Sequence, residues 1–354
     1  MSKLFEKLTL RETAFRNRIW VSPMCQYSSE NGMPTDWHLV HLGTRAAGGA
    51  GLVMVEATAV SPEGRISPQD SGIWSDEHAE AFKNITAFIK ARGATPGIQI
   101  AHAGRKASTA APWNGGNEVG IAEGGWETVA PSAIRFDEGY PMPREMTAAD
   151  IEKVVEDFIS AARRAVDAGF EVIEVHAAHG YLMHEFLSPL SNKRADEYGG
   201  SFENRTRLPL IIARAARNAV PENLPVFVRI SATDWADGGW DLDQSVEFCK
   251  LLKDTGIDLI DCSSGGLVPY QQIPAGPNYQ VPFAAEIREK AGIATAAVGL
   301  ITEPGQAEEI LQKGEADAIM IARQFLREPY FPFRAARELG ETVNPPVQYG
   351  RAIS

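Results

Sequence analysis

Residues 176–189 read His-Ala-Ala-His-Gly-Tyr-Leu-Met-His-Glu-Phe-Leu-Ser-Pro and concentrate groups that hold oxygen and move protons. His176 and His179 can each aim an imidazole N–H at one carbonyl or phenolate oxygen. Tyr181, with an ordinary pKa of about 10, keeps its proton at neutral pH and can donate it. No nucleophile stands among the three. The trio is equipment to polarise and protonate a small-molecule substrate.

Other groups are spaced further along the chain. Ser22-Pro23-Met24-Cys25-Gln26-Tyr27 follows an apolar run. Cys25 is either a small buried hydrophobe or a thiol facing a pocket, and Tyr27 either lines the mouth or touches substrate. Gln99 both donates and accepts, which suits a ligand with an amide- or imide-type edge; a satisfied core amide is the alternative. His102 reads as structural. Arg229 lies in an apolar run, and a buried guanidinium needs an anionic partner, either a protein carboxylate or a ligand. Gly299 and the pair Ala322-Arg323 follow two further apolar runs. Backbone N–H groups there, with the guanidinium, could hold a phosphate monoester.

Positioning these groups falls to eight short apolar runs, at 18–24, 51–57, 97–101, 171–175, 225–230, 258–262, 295–299 and 317–321. Near-continuous apolarity means burial on both faces, the mark of a parallel sheet. Helical patterns separate most of them, at 38–48, 76–92, 147–168, 203–219, 242–255, 282–291, 304–313 and 330–339. Ser75 is a candidate N-cap, and Thr147-Ala-Ala-Asp150 resembles a capping box with Asp in place of Glu. Eight strands alternating with eight helices predict an α/β chain folded as a single (β/α)8 TIM barrel domain over 1–354. No Gly-x-Gly-x-x-Gly opens a helix, which argues against a doubly wound sheet. Every candidate group then sits where a barrel strand ends, the face that carries barrel chemistry. Loops 107–144 and 265–280 are long enough to be lids or binding loops on that face, and 341–354 forms a tail.

Composition excludes several classes. The 354 residues carry a net charge of −12, which makes nucleic acid and anionic membrane poor partners. Cys25, Cys249 and Cys262 are too few and too widely spaced for a disulfide framework or an iron–sulfur cluster. No charge-free apolar run reaches membrane-spanning length, and residues 1–7 lack a signal-peptide core. A cytoplasmic location is expected. No resident metal is expected, although His176, His179 and His184 with Glu185 keep a metal-dependent hydrolase or lyase open as an alternative.

Together these motifs resemble the old yellow enzyme family of FMN-dependent oxidoreductases, in its bacterial thermophilic-like ene-reductase branch. The resemblance runs end to end. It rests on 22–27, 56–60, 99–106, 176–181, 187–192 with 196–200, 261–265 and 321–323. It implies non-covalent FMN reduced by NADPH or NADH. Backbone around Ser22, Pro23, Met24, Cys25 and Ala57 would meet the flavin ring, and Gln99 its pyrimidine edge. Arg229 would sit near N1 and O2, and Gly299, Ala322 and Arg323 would hold the phosphate. His176 and His179 would bind the substrate oxygen, Tyr181 would be the acid, and Tyr27 would add a substrate contact. The resemblance further implies a homodimer or homotetramer in which Arg351 reaches the neighbouring site. Ala352-Ile353 stands where the branch tends to have Gly-Trp. The implied activity is reduction of the C=C bond of α,β-unsaturated carbonyl compounds or related activated alkenes. Reduction of nitro compounds or nitrate esters is the alternative within the class, and a non-turnover flavoprotein sensor lies outside it.

Overall fold

Strands apolar on both faces and helices apolar on one can bury all that surface by closing into a cylinder. In the computed structural model, which describes residues 2–353, eight parallel strands close in this way. They are β1 Ile19–Val21, β2 Leu52–Ala59, β3 Thr95–Ala101, β4 Val172–Ala177, β5 Val226–Ser231, β6 Leu259–Ser263, β7 Ala294–Ala297 and β8 Ala318–Ile321. β8 pairs back onto β1 through Ile319–Ile19 and Ile321–Val21. The outer layer is α1 Asp36–Ala47, α2 Asp76–Ala91, α3 Ala148–Asp167, α4 Phe202–Ala219, α5 Leu242–Asp254, α6 Val281–Ala291, α7 Pro304–Gln312 and α8 Phe331–Leu339. Among the described residues no helix is long and apolar enough to cross a membrane.

Local chemistry sets several boundaries. The capping box opens α3: Thr147 Oγ1 accepts from the Asp150 amide, and the Asp150 carboxylate accepts from the Thr147 amide at 2.7 Å. Ser75 is the N-cap residue of α2, but its hydroxyl engages His78 Nδ1 at 2.6 Å rather than the backbone. The run at 18–24 is a strand only over Ile19–Val21, because Pro23 has no N–H to continue the ladder. Not anticipated were an antiparallel pair, Leu8–Leu10 with Thr13–Phe15, and short helices Leu182–Leu187 and Arg323–Arg327 after β4 and β8. At the end of the 107–144 loop, Val129–Ala130 pairs with Arg144–Glu145.

Side chains alternate along each strand, so parity decides which enter the cylinder. The odd set of β5 and the even set of β4 separate cleanly. Val226, Val228, Ile230, Ile173 and Val175 join the core under the helices, and Phe227 and Val172 join a distinct inner cluster. Trp20, Leu52, Met54, Leu259, Ala296, Val298, Ala318 and Met320 complete that inner cluster, with Phe15 of the antiparallel pair. Trp20 stacks on Phe227 with centroids 5.8 Å apart, and Phe15 approaches Trp20 at 4.6 Å. This apolar plug fills the strand-entry end of the cylinder. Trp20→Ala is expected to lower unfolding stability by about 3–5 kcal/mol, the usual cost of deleting a fully buried aromatic. Equilibrium denaturation by urea measures it.

Candidate active site

The parity that packs Phe227 inward also turns Arg229 and Ser231 inward, two and four residues later. The same rule aims Glu174 and His176 of β4, Asp261 and Ser263 of β6, and Gln99 of β3 into the cylinder. The interior thus changes from apolar to polar along the strands. Arg229 Nε lies 3.2 Å from Asp261 Oδ2, without a linear hydrogen bond, and Gln99 Nε2 donates to Glu174 Oε1 at 2.7 Å. Burial, and then the Asp261 carboxylate, push Glu174 up to about 8. Burial also raises Asp261, against the pull of Arg229. The partner of Arg229 that the sequence left open therefore includes a protein carboxylate.

Above this layer the β4 exit brings the predicted trio together. The His176 and His179 rings lie 5.2 Å apart, and Tyr181 packs edge-on to His176 at 5.0 Å. His176 Nδ1 accepts from the Ala178 amide at 3.3 Å, so its neutral ring carries the proton on Nε2. His179 Nε2 lies 2.7 Å from Ser263 Oγ, which leaves Nδ1 free of protein partners among the described residues. When Ser263 donates into Nε2, Nδ1–H becomes the outward donor. Burial, followed by the charge of Arg229, drives both imidazoles well below the usual histidine range. Burial raises the Tyr181 phenol well above its ordinary value. At neutral pH the site holds two neutral imidazoles and a protonated phenol.

His179 has φ +59°, a left-handed conformation uncommon outside glycine. Its amide donates to Ser231 Oγ at 2.9 Å. Gly266 packs directly against it; a Cβ there would lie 2.6 Å from His179 Cα. His184 is committed elsewhere. Its Nδ1 accepts from the Gly180 amide at 2.9 Å and its Nε2 meets Asp234 Oδ1 at 2.8 Å. Both ring nitrogens are thus occupied, which removes His184 from the metal-ligand set that the sequence allowed.

The β1 exit supplies the opposite wall. A register shift between Val55 and Ala57 inserts Glu56 as an extra residue and turns Ala57 toward the interior. Glu56 then holds the 22–29 segment. Its carboxylate accepts from the Gln26 amide, from Ser71 Oγ at 2.7 Å, and pairs with His38 Nε2 at 2.8 Å. Pro23, Met24, Cys25 and Tyr27 are half-buried along it. Burial pushes the Cys25 thiol well up, with Asp70 and Glu56 adding to it, so it stays protonated. Tyr27 takes Trp113 of the 107–144 loop edge-on at 5.4 Å. Tyr27, Lys106, Tyr140, Tyr181 and the 109–117 segment line a cavity of about 580 Å³ at the barrel mouth. Arg351 does not line it and is exposed in the tail.

The β7 and β8 exits carry the remaining predicted residues. Gly299 has φ +126°, and a Cβ there would lie 3.0 Å from Gln280 Nε2. Leu300 follows with φ +50°. Arg323 is exposed, with no carboxylate within ion-pair distance among the described residues. Burial raises the half-buried Tyr279 phenol, and the charges of Arg323 and then Arg229 oppose it.

Comparison with known proteins now decides the class. The profile of the NADH:flavin oxidoreductase / NADH oxidase family matches residues 3–342. The chain belongs to this family. It is similar to NADPH dehydrogenases of Geobacillus sp. (strain WCH70), 51% identical over 350 residues with 98% of each chain covered, and of Bacillus subtilis (strain 168), 50% identical over 351 residues with 99% and 98% covered. The old yellow enzyme homologue of Zymomonas mobilis superposes with a TM-score of 0.80 at 28% identity, covering 98% of this chain and 95% of that one. The chain is an oxidoreductase of the old yellow enzyme type, and its cofactor is FMN with a nicotinamide reductant. The residues present fit that group. Ser22 Oγ is buried without a hydrogen-bond partner among the described residues, as a polar atom reserved for a ligand would be, and Arg323 has no protein anion there.

Several residues of the site were not singled out from the sequence: Glu56, Lys106, Glu174, Ser231, Asp234, Asp261 and Ser263. Parity would have found Glu174, Asp261, Ser231 and Ser263, since each is polar at an inward position of a buried strand. The electrostatics give a direct expectation. A free imidazole gains its proton near pH 6.5. His176 and His179, lowered by burial, should still be neutral at pH 5.5. Ring 15N NMR of the two histidines checks this, and imidazolium shifts at that pH would contradict it.

Proposed function

We propose that the chain is an NADPH-dependent ene-reductase. The observation that carries this reading is the neutral histidine pair beside a protonated Tyr181 at the mouth of an FMN barrel. FMN bound here and reduced by NADPH would supply hydride chemistry toward the β-carbon of an α,β-unsaturated carbonyl compound. His176 Nε2–H and His179 hold the carbonyl oxygen as negative charge grows on it, with donors already in place. Neutral imidazoles suit this task, because they stabilise the charge without surrendering a proton to the oxygen. Tyr181 delivers its phenolic proton to the α-carbon.

The FMN itself would rest non-covalently on Ser22–Cys25 and Ala57 along one side, with Gln99 at the pyrimidine edge. Arg229 would face N1 and O2, where reduced flavin carries negative charge, and its closeness to Asp261 would moderate that pull. Gly299, Ala322 and Arg323 would take the phosphate. Cys25, kept as a thiol by burial, would tune the flavin through a weak hydrogen bond. Tyr27 would contact substrate. In an oligomer of at least two copies, the exposed Arg351 would complete a neighbour's pocket.

Denatured protein should release about one FMN per chain; FAD or no flavin would refute the proposal. The native protein should be yellow, bleach anaerobically with NADPH and recolour with 2-cyclohexenone. Losing one oxyanion donor typically costs about 10²–10³ in rate, so His176→Ala and His179→Ala should slow recolouring by that order. General acid catalysis is worth roughly 10²–10⁴. Stopped-flow of Tyr181→Phe should therefore show slow reoxidation by cyclohexenone and unchanged reduction by NADPH. Reoxidation at the parent rate would show that Tyr181 is not the acid.

A further inference from the structure

Lys106 has no role in the mechanism above, yet it stands at the centre of the site. It closes a short turn, Gly104–Lys106, after β3 and reaches over to two other loops. Its Nζ donates to the His179 carbonyl at 2.9 Å and to the Gly266 carbonyl at 2.6 Å. The two loops it joins, after β4 and β6, are in backbone contact: a Cβ on Gly180 would collide with the Gly266 carbonyl oxygen, and one on Gly266 would collide with His179. Arg105 beside it donates to the next carbonyl, Leu267, at 2.7 Å.

His179 needs such support. Its left-handed φ persists only where surroundings over-determine it. Ser231 holds its amide, Ser263 holds its ring, and Lys106 holds its carbonyl. Releasing the carbonyl frees the peptide to rotate and carries the imidazole with it.

We propose that Lys106 is a positioning residue that fixes His179 at the substrate oxygen by cross-linking the two loops through their carbonyls. This inference deepens the proposed function and takes its substrate site from it. Charge matters to the cross-link, since a hydrogen bond from a cation is roughly twice as strong as a neutral one. The groups facing the ammonium are Arg105 on its own turn, Glu185 on the helix Leu182–Leu187, the imidazoles of His176 and His179, the Tyr181 ring at 5.6 Å, and Phe136 of the 107–144 loop at 4.2 Å. Burial and then Arg105 bring Lys106 down to about 7, with Glu185 opposing. Its charged form therefore dominates below neutrality and fades above it. A basic group with a lowered pKa makes the cross-link strongest at acid pH, so ligand binding should weaken as pH rises through about 7.

The test uses FMN-loaded protein and phenol, read from the flavin absorbance, across pH 6–9. Parent Kd is expected to rise with an inflection near 7. Lys106→Met removes the donors and should raise Kd about tenfold at pH 6, without the inflection. Lys106→Arg keeps a permanent cation and should restore most of the affinity with no inflection. KM for 2-cyclohexenone should follow Kd, while FMN content stays full. Lys106→Met with parental Kd and KM at every pH would overturn the proposal. Should that variant lose FMN, Lys106→Leu replaces it, with the same two outcomes. Parent protein that holds FMN and binds phenol but never reduces the enone would refute the ene-reductase reading. The binding series would still decide the role of Lys106.

Discussion

A side chain that points into a closed eight-stranded barrel has only other inward side chains for company, and the strand period leaves it no third direction. That constraint orders everything above it. Phe227 and Trp20 face inward and stack, so Arg229 must face inward one repeat later, and Ser231 after that. On β4 the same count yields Val172, Glu174 and His176. A guanidinium and two acids therefore meet in a buried layer, where isolated charge is costly: Asp261 faces Arg229, and burial holds Glu174 up to about 8, so that it keeps its proton through neutrality. The apolar plug lies below them, and the cavity at the mouth lies above them. The polar layer is stable only as a set, which is why Arg229, Asp261, Glu174 and Gln99 are best understood together.

Regular strands bring groups to the rim, and irregular backbone then aims them. Three departures do this work. The bulge at Glu56 resets the parity of β2 and gives the 22–29 segment a carboxylate to hang from. The left-handed turn at His179 points its ring across to Ser263 rather than along the strand. Gly299 and Leu300 turn the chain after β7 with positive φ. Each departure is locally unfavourable and is held by hydrogen bonds from a different element, so the site is preorganised by long-range contacts.

Legibility in the sequence follows the same division. The barrel was readable because its strands are apolar on both faces and its helices carry caps such as Thr147 with Asp150. His176, His179 and Tyr181 were readable because they cluster within six residues at one strand end, and the structure does bring them together. Lys106 and Glu56 were not. Their significance lies in partners 73 and 30 residues away, His179 and Gln26, which no local pattern announces. Arg229 stands between these cases. The sequence posed its need for an anion, and only the register opposite Asp261 supplied one answer. Ser75 shows the reverse error of scale: the cap position was legible, while the choice of His78 over the backbone depended on side-chain geometry.

The backbone contact between Gly180 and Gly266 divides the rim into two halves with different freedom to change. On the β4–β6 side, no atom can be added at either glycine without displacing peptide groups, so that half tolerates almost no variation. The 109–117 segment of the long loop is different: a Cβ added at Gly116 would meet nothing nearer than 4.0 Å, and Trp113 is 67% exposed. An exchange at the exposed Trp113 would displace no peptide group of the histidine segment. Descendants of this sequence that acquire new preferences would therefore record them in the long loop, while the segment that holds oxygen stays as it is. The shape of the pocket can diverge rapidly on a fixed chemical floor.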